Sequence, residues 1–303
     1  LAITSKTPFF IAIFEPQYNT SLSMNKHFLF FIFAFSAIIN SSIAQDEICD
    51  CPNLSKKGKG SFYFAWGYNK DWYSKSDIHL KNTTGEYNPV TGRNDYYDFT
   101  IYDVEAVDRP DFKKILKTDL TIPQYVYRLG YYFNDKRDLG VEINFDHAKY
   151  VMIDNRVRHV KGNIHGQMID KDTLVDPNFF KFEHTDGANF LMLNMMKRQR
   201  LFVTANKKLW FSAVVKAGAG IVIPRTDITL FGQRSNNPFH VAGYVTGVET
   251  GLRIDAFKHV YLEYTAKGVF ANFNNVLGVG SGKVSHHFFA FENILSLGVQ
   301  FAM

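Results

Sequence analysis

The stretch Ser61-Phe62-Tyr63-Phe64-Ala65-Trp66-Gly67-Tyr68-Asn69 decides the fold. Phe62, Phe64, Trp66 and Tyr68 fall at every second position, with Tyr63, Ala65, Gly67 and Asn69 between them. A repeat of two puts one set on each face of a β-strand. The pattern returns late in the chain, where Leu252, Ile254, Val260, Leu262 and Tyr264 alternate with Glu249, Gly251, Arg253, Glu263, Thr265 and Lys267. An apolar face opposite a charged one, repeated over long strands, suits a barrel with lipid outside and charge within. The expected fold class is therefore all-β, an up-and-down antiparallel transmembrane barrel.

Working outward, strands are expected at 61–73, 123–133, 139–151, 186–196, 209–222, 240–255, 260–272 and 286–302. Asn134-Asp135-Lys136-Arg137 and Ala256-Phe257-Lys258 read as short turns, and 197–208 as a short basic connection. The remaining connections, 74–122, 152–185, 223–239 and 273–285, are longer. Alternation of short turns and long loops is the habit of outer-membrane barrels. Residues 96–107 also alternate, as an arm of a hairpin inside the first long loop; a ninth wall strand would leave the termini on opposite sides, so eight is preferred. Tyr131, Tyr132, Phe133, Trp210, Phe211, Phe62 and Phe301 lie at strand ends and are expected to form the periplasmic aromatic girdle.

The beginning of the chain divides into segments. Residues 1–23 read as upstream sequence from a mis-assigned start, and 24–44 as a secretory signal: Met24, basic Lys26 and His27, an apolar run over 28–39, and the small residues of Ser42-Ile43-Ala44. That run is short of the roughly 20 residues a membrane-spanning helix needs. Cleavage is expected after Ala44, leaving a periplasmic segment 45–59 and a barrel domain 60–303. The two cysteines, Cys49 and Cys51, lie in that segment; a bridge between residues so close would be strained. Net charge is +5, of which the leader supplies +1, and no basic block suggests a nucleic-acid partner.

With the apolar positions on lipid, parity assigns the interior. Arg128, Glu142, Asn144, Asp146, Lys216, Glu249, Arg253, Glu263, Lys267 and Glu292 face inward, joined by Gly218, Gly220, Gly243, Gly247 and Gly251. An eight-stranded barrel is just wide enough for side chains to fill. The nearly balanced charges are read as an ion-pair network that plugs the lumen and holds strand register, in preference to a proton relay or a catalytic pair.

Histidines gather near the expected outer strand ends: His184, His240, His286 and His287, with His147 a little lower. His184, Asp186, His286 and His287, with Glu183 and Ser285 nearby, are the candidates for hydrolysis of a lipid ester with histidine as general base. Several histidines with an acid also suit a divalent metal. Neither reading has a motif: HExxH, GxSxG and paired CxxC are absent, so no cofactor or metal is expected. The loops, such as Asn82-Thr83-Thr84-Gly85 and 227–237, are polar and aromatic mixtures fit for an external ligand.

The end of the chain carries a resemblance. Ser296, Gly298 and Phe301 resemble the terminal signal by which outer-membrane barrels are recognised for assembly, although Met303 stands where that pattern has an aromatic. With the leader and eight strands, the mature chain resembles the small OmpA-like, OmpX-like and OmpW-like outer-membrane barrels. The resemblance implies a Gram-negative outer membrane and, as partners, its lipid and lipopolysaccharide and the barrel assembly machinery. It implies no single activity, since these families share a fold and not a function. A structural or surface-binding role through the loops is preferred. A lipid-modifying hydrolase and a narrow OmpW-like channel for small apolar molecules are the alternatives. The His-x-Ser-Asn motif of lipid A deacylases is absent.

Overall fold

The computed structural model describes residues 60–85, 87–88, 93–94, 96–109, 124–133, 138–184, 186–257 and 259–302. The leader, Cys49 and Cys51 and the turn at 134–137 lie outside them. Eight strands build the wall: β1 (Ser61–Tyr73), β2 (Tyr125–Tyr132), β3 (Leu139–Asp146), β4 (Phe190–Val203), β5 (Leu209–Val222), β6 (Gly243–Ala256), β7 (Val260–Leu277) and β8 (Lys283–Ala302). Each pairs antiparallel with its successor, and β8 returns to β1, closing the ring. The seam runs from Ser61↔Ala302 to Tyr73↔Ala290 without a break.

Alternation has the expected sense. Phe62, Phe64, Leu129, Ile143, Leu193, Val248, Leu252, Leu262, Leu295 and Leu297 are exposed on the outside. Between them, Asn69, Arg128, Glu142, Lys216, Glu249 and Glu292 are buried inside. Such a surface is stable only against hydrocarbon, and a closed ring leaves no wall-strand edge unpaired there. The fold is a transmembrane β-barrel.

Four wall strands depart clearly from their expected limits. Residues 186–189 turn instead of extending, with positive φ at Gly187 (103°) and Asn189 (41°), and the Asn189 amide donates to the Ile223 carbonyl at 2.9 Å. At its other end β4 runs through the basic stretch to Val203, because Arg198 and Arg200 both reach Asp138 beside the ladder. The third strand stops at Asp146, where the His147 amide bonds back to the Tyr125 carbonyl; the chain resumes at Tyr150–Met152 beside a different neighbour, His184. The hairpin β7–β8 extends past its expected end, to a tip at 278–282.

Among the described residues the long connections carry strands of their own. Ser76–Asn82 pairs with the start of β8 and with Tyr97–Val104, which pairs in turn with Arg156–Ile164 and, through it, Gln167–Val175. On the other side Ala106–Val107 joins Tyr150–Met152, then Phe180–His184, Asp227–Leu230 and Gln233–Asn236. Asn237 closes toward β7 by donating to the Leu277 and Gly278 carbonyls at 3.0 and 3.1 Å. An outer tier of strands thus continues the wall beyond the membrane. Tyr97–Val104 is the hairpin arm expected in the first connection.

The girdle needs a correction. Phe62, Tyr131, Phe133, Phe211 and Phe301 are on the outside, with Phe62–Tyr131 at 4.7 Å and Phe202–Phe211 stacked at 4.2 Å. Tyr132 and Trp210 face inward and are buried. Adjacent residues on a strand cannot share a face, so Tyr132 must oppose Tyr131.

Candidate functional site: a lumen packed in layers

The lumen is filled in layers from the end bearing the short turns upward. Lowest lie Tyr63, Tyr132, Tyr261 and Met196. Glycines on neighbouring strands admit these rings: a Cβ on Gly130 would sit 2.2 Å from the Tyr63 ring, and one on Gly298 2.2 Å from Tyr261. Arg253 lies over Tyr261 at 3.4 Å and donates to Asp255 and Gln300, and Arg198 lies over Tyr132 at 4.2 Å. Of the three residues in the terminal pattern, Ser296 and Gly298 face this lumen and Phe301 faces out.

Above the tyrosines the structure brings the inward charges together. Arg128 reaches Glu142 (3.3 Å), Asp146 (3.3 Å) and Glu249 (3.2 Å). Lys216 reaches Glu142 (2.9 Å), Glu249 (3.3 Å) and Glu263 (2.8 Å), and Tyr63 donates its hydroxyl to Glu142 at 2.5 Å. Lys267 pairs with Asp146, and Arg253 approaches Glu263 at 4.0 Å. Every one of these side chains is buried. Three carboxylates around one guanidinium, and three around one ammonium, form a continuous mesh that ties five strands across the lumen, with β1 joining through Tyr63.

The next layer holds Asn69, which the alternation of the first strand had set on the inner face, with Asp71, Asp108 and Gln124, which sequence reasoning did not name, all buried. Asn69 and Asp71 were legible by the same parity that assigned the others, one and two steps along β1 from Gly67. Gln124 falls in the expected strand 123–133 at the parity of Arg128, although the observed strand begins at Tyr125; Asp108 lies just past the alternating stretch 96–107, and no periodicity marks it.

Higher still the lumen turns apolar. Phe180, Phe182 and His184, on one face of the inserted strand Phe180–His184, are fully buried with Tyr150, Phe273 and Phe288. Ile78, Leu80, Phe99, Ile101, Val160, Ile228 and Leu230 complete a packed dome in the outer tier.

The histidine candidates separate. His184 and His286 meet inside this dome, Nε2 to Nε2 at 3.2 Å. The Nδ1 of His184 lies 2.9 Å from the Thr226 hydroxyl and that of His286 lies 3.4 Å from Ser76. Burial holds the His184 imidazole down at about 3, so the ring is neutral at physiological pH. His287 points outward, near the Phe270 ring, while Asp186 is half exposed and paired with Arg225 at 2.7 Å. His147 stacks on Tyr125 at 4.7 Å and bonds Asn189, with burial lowering its basicity. Glu183 faces Arg109 at 3.6 Å, and burial raises its carboxyl above the usual range. A rim cluster of histidine, serine and acid is thus not assembled: the two imidazoles in contact touch hydroxyls and aromatic rings. Among the described residues no three metal-binding side chains converge.

No family model and no curated protein matches the chain. Among solved structures it is similar to Ail of Yersinia pestis in complex with the heparin analogue sucrose octasulfate, at 12% identity over 80% of this chain and 99% of that one, TM-score 0.31. Neisserial surface protein A matches at 11% identity over 80% and 99%, TM-score 0.33. The outer-membrane protein AlkL matches at 12% over 86% and 98%, TM-score 0.35. The likeness is one of barrel architecture and does not extend to a ligand.

Proposed function

We propose that this is a closed barrel of a Gram-negative outer membrane whose role is structural and surface-binding, exercised by the outer tier. The observation that supports it is the filling of the lumen: a charged mesh below and an apolar dome above, both of buried side chains. Buried side chains in both layers support a lumen closed to solute. Export by the segment 24–44, with cleavage after Ala44, belongs to this reading, as do assembly through Ser296, Gly298 and Phe301 and contact with lipopolysaccharide.

The surface that would meet a partner is the hairpin formed by Arg156–Ile164 and Gln167–Val175. One face exposes Val157, Met168 and Leu174, around a pairing of His159 with Asp170 and Asp172 at 3.0 and 3.1 Å. Among the described strands, Gln167–Val175 pairs on one side alone, so its other edge is open to a ligand. Apolar side chains held out on a projecting, charge-flanked hairpin are a binding surface in form. The experiment is to replace 157–174 by a short glycine-serine turn and measure cell–cell aggregation and attachment to a gelatin-coated surface. Loss of attachment with an intact, surface-exposed barrel is expected. Unchanged attachment would place the role in the membrane portion.

A further inference from the structure

Above the ion-pair mesh the carboxylates outnumber their counter-ions. Asp71 on β1 and Glu292 on β8 are cross-strand neighbours facing the lumen, 2% and 0% exposed. Among the described residues neither has a cation within 4 Å. Lys267, the cross-strand neighbour of Glu292, gives its ammonium to Asp146, and Lys70 gives its own to Asp108. The side chains that hydrogen-bond to the two carboxylates are neutral, while Lys267 and Arg128 act on Glu292 from further off and the Asp108 carboxylate accepts from the Asp71 backbone amide at 2.6 Å. Asn69 Nδ2 stands 3.2 Å from both Asp71 oxygens and 3.4 Å from Glu292 Oε2. Gln124 Nε2 lies 3.2 Å from Asp71 and 3.0 Å from Asp108, and the Tyr73 hydroxyl lies 3.3 Å from Asp71.

These contacts leave the layer unsatisfied. One amide nitrogen carries two hydrogens and faces three carboxylate oxygens. Among the described residues Glu292 Oε1, Asn69 Oδ1 and Gln124 Oε1 accept no hydrogen bond, and all three residues are buried. Two buried carboxylates without a counter-ion do not persist as such; something positive has to meet them.

We propose that Asp71 and Glu292 together bind one divalent, oxygen-seeking cation, Ca2+, with the amide oxygens of Asn69 and Gln124 as further ligands. The charge of the pair matches that of one such ion. The donors are all oxygen, which selects a hard cation over metals that prefer imidazole or thiolate. They hang from β1, β8 and the segment before β2, a loose set that suits the flexible coordination of Ca2+ better than the strict octahedron of Mg2+. Three carboxylate or imidazole groups do not converge there, so the amide oxygens are required. The Asn69 and Gln124 amides, which both present nitrogen to Asp71, turn over on binding, each exchanging its nitrogen for its oxygen in the same space, without backbone movement.

The test uses the full barrel in detergent, stripped with a chelator, with thermal unfolding followed by circular dichroism. Millimolar Ca2+ is expected to raise the midpoint by about 5 °C, Mg2+ by less and Na+ not at all. In Asp71→Asn/Glu292→Gln the response disappears. A wild-type midpoint indifferent to Ca2+, or a variant that responds as fully as wild type, overturns the proposal. So does a midpoint raised by mild acid and not by Ca2+, which would make protons the neutralising species. Should the double variant fail to fold, Tb3+ luminescence excited through tyrosine in the wild type decides: Tyr73 lies beside Asp71. A signal displaced by Ca2+ is expected, and its absence would reject the site.

Discussion

Arg128 shows how much depends on single residues in the lumen. Its guanidinium stands between Glu142, Asp146 and Glu249, with 2% of its side chain exposed. Removing one partner of a buried ion pair leaves the other charge uncompensated, at a cost of about 3–5 kcal/mol. Arg128→Met is therefore expected to lower stability by that amount in a urea titration of the refolded barrel. Lys197→Ala, on the outer face near the short turns, is expected to stay within about 0.5 kcal/mol. His184 gives a second case. Its folded-state basicity lies far below the unfolded value, down at about 3, so the unfolded chain takes up a proton that the folded one refuses. The stability that depends on neutral His184 is complete above pH ~6.5 and falls as pH drops from there toward about 3. At pH ~5 the loss is about 2 kcal/mol. Comparing the unfolding midpoints of wild type and His184→Leu at neutral pH and at pH ~5 checks it; the variant is expected to lose less.

At the scale of elements, Phe180–His184 is the strand that converts loops into a dome. Phe180, Phe182 and His184 enter the lumen on one face, while Lys181 and Glu183 take the other. Phe182→Ala is expected to destabilise the outer tier by about 3–5 kcal/mol. The wall ring, held by its own ladder, is expected to survive. Limited proteolysis checks this: the variant should be cut within 150–184 at protease levels that leave wild type whole, and both should keep the same resistant ring. The wall strands were legible because one face had to meet hydrocarbon, which enforces a clean alternation on 61–73 and 209–222. The outer-tier strands were not. Arg156–Ile164 and Gln167–Val175 carry charge on both faces, so their period of two is hidden. Tyr97–Val104, with Phe99 and Ile101 turned inward, kept its alternation and was read.

For the whole molecule, a filled lumen predicts an electrically silent barrel. Reconstituted in a planar bilayer, the protein is expected to show no steady conductance steps. Arg128→Met, if it folds, is expected to admit brief ones, since its carboxylates would draw in water. The candidate site was legible in part for a physical reason. Parity locates every inward charge on a wall strand, but nothing in a sequence says which charges meet. Residues 147–149 and 186–189, which leave the ladder, carry no period at all, and so the burial of His184 and His286 in contact was beyond reach.

The seam between β1 and β8 has a consequence in time. Thirteen residue pairs join the first wall strand to the last, so the ring cannot shut until β8 has arrived. Until then both Ser61–Tyr73 and the newest strand present naked rims, and Glu292 and Ser296, carried by β8, have yet to reach their places. Closure is a single late event. A chain that stalls before it is all edge, a template for its neighbours and a target for envelope proteases, and completion of the last strand is the moment at which the molecule stops being vulnerable.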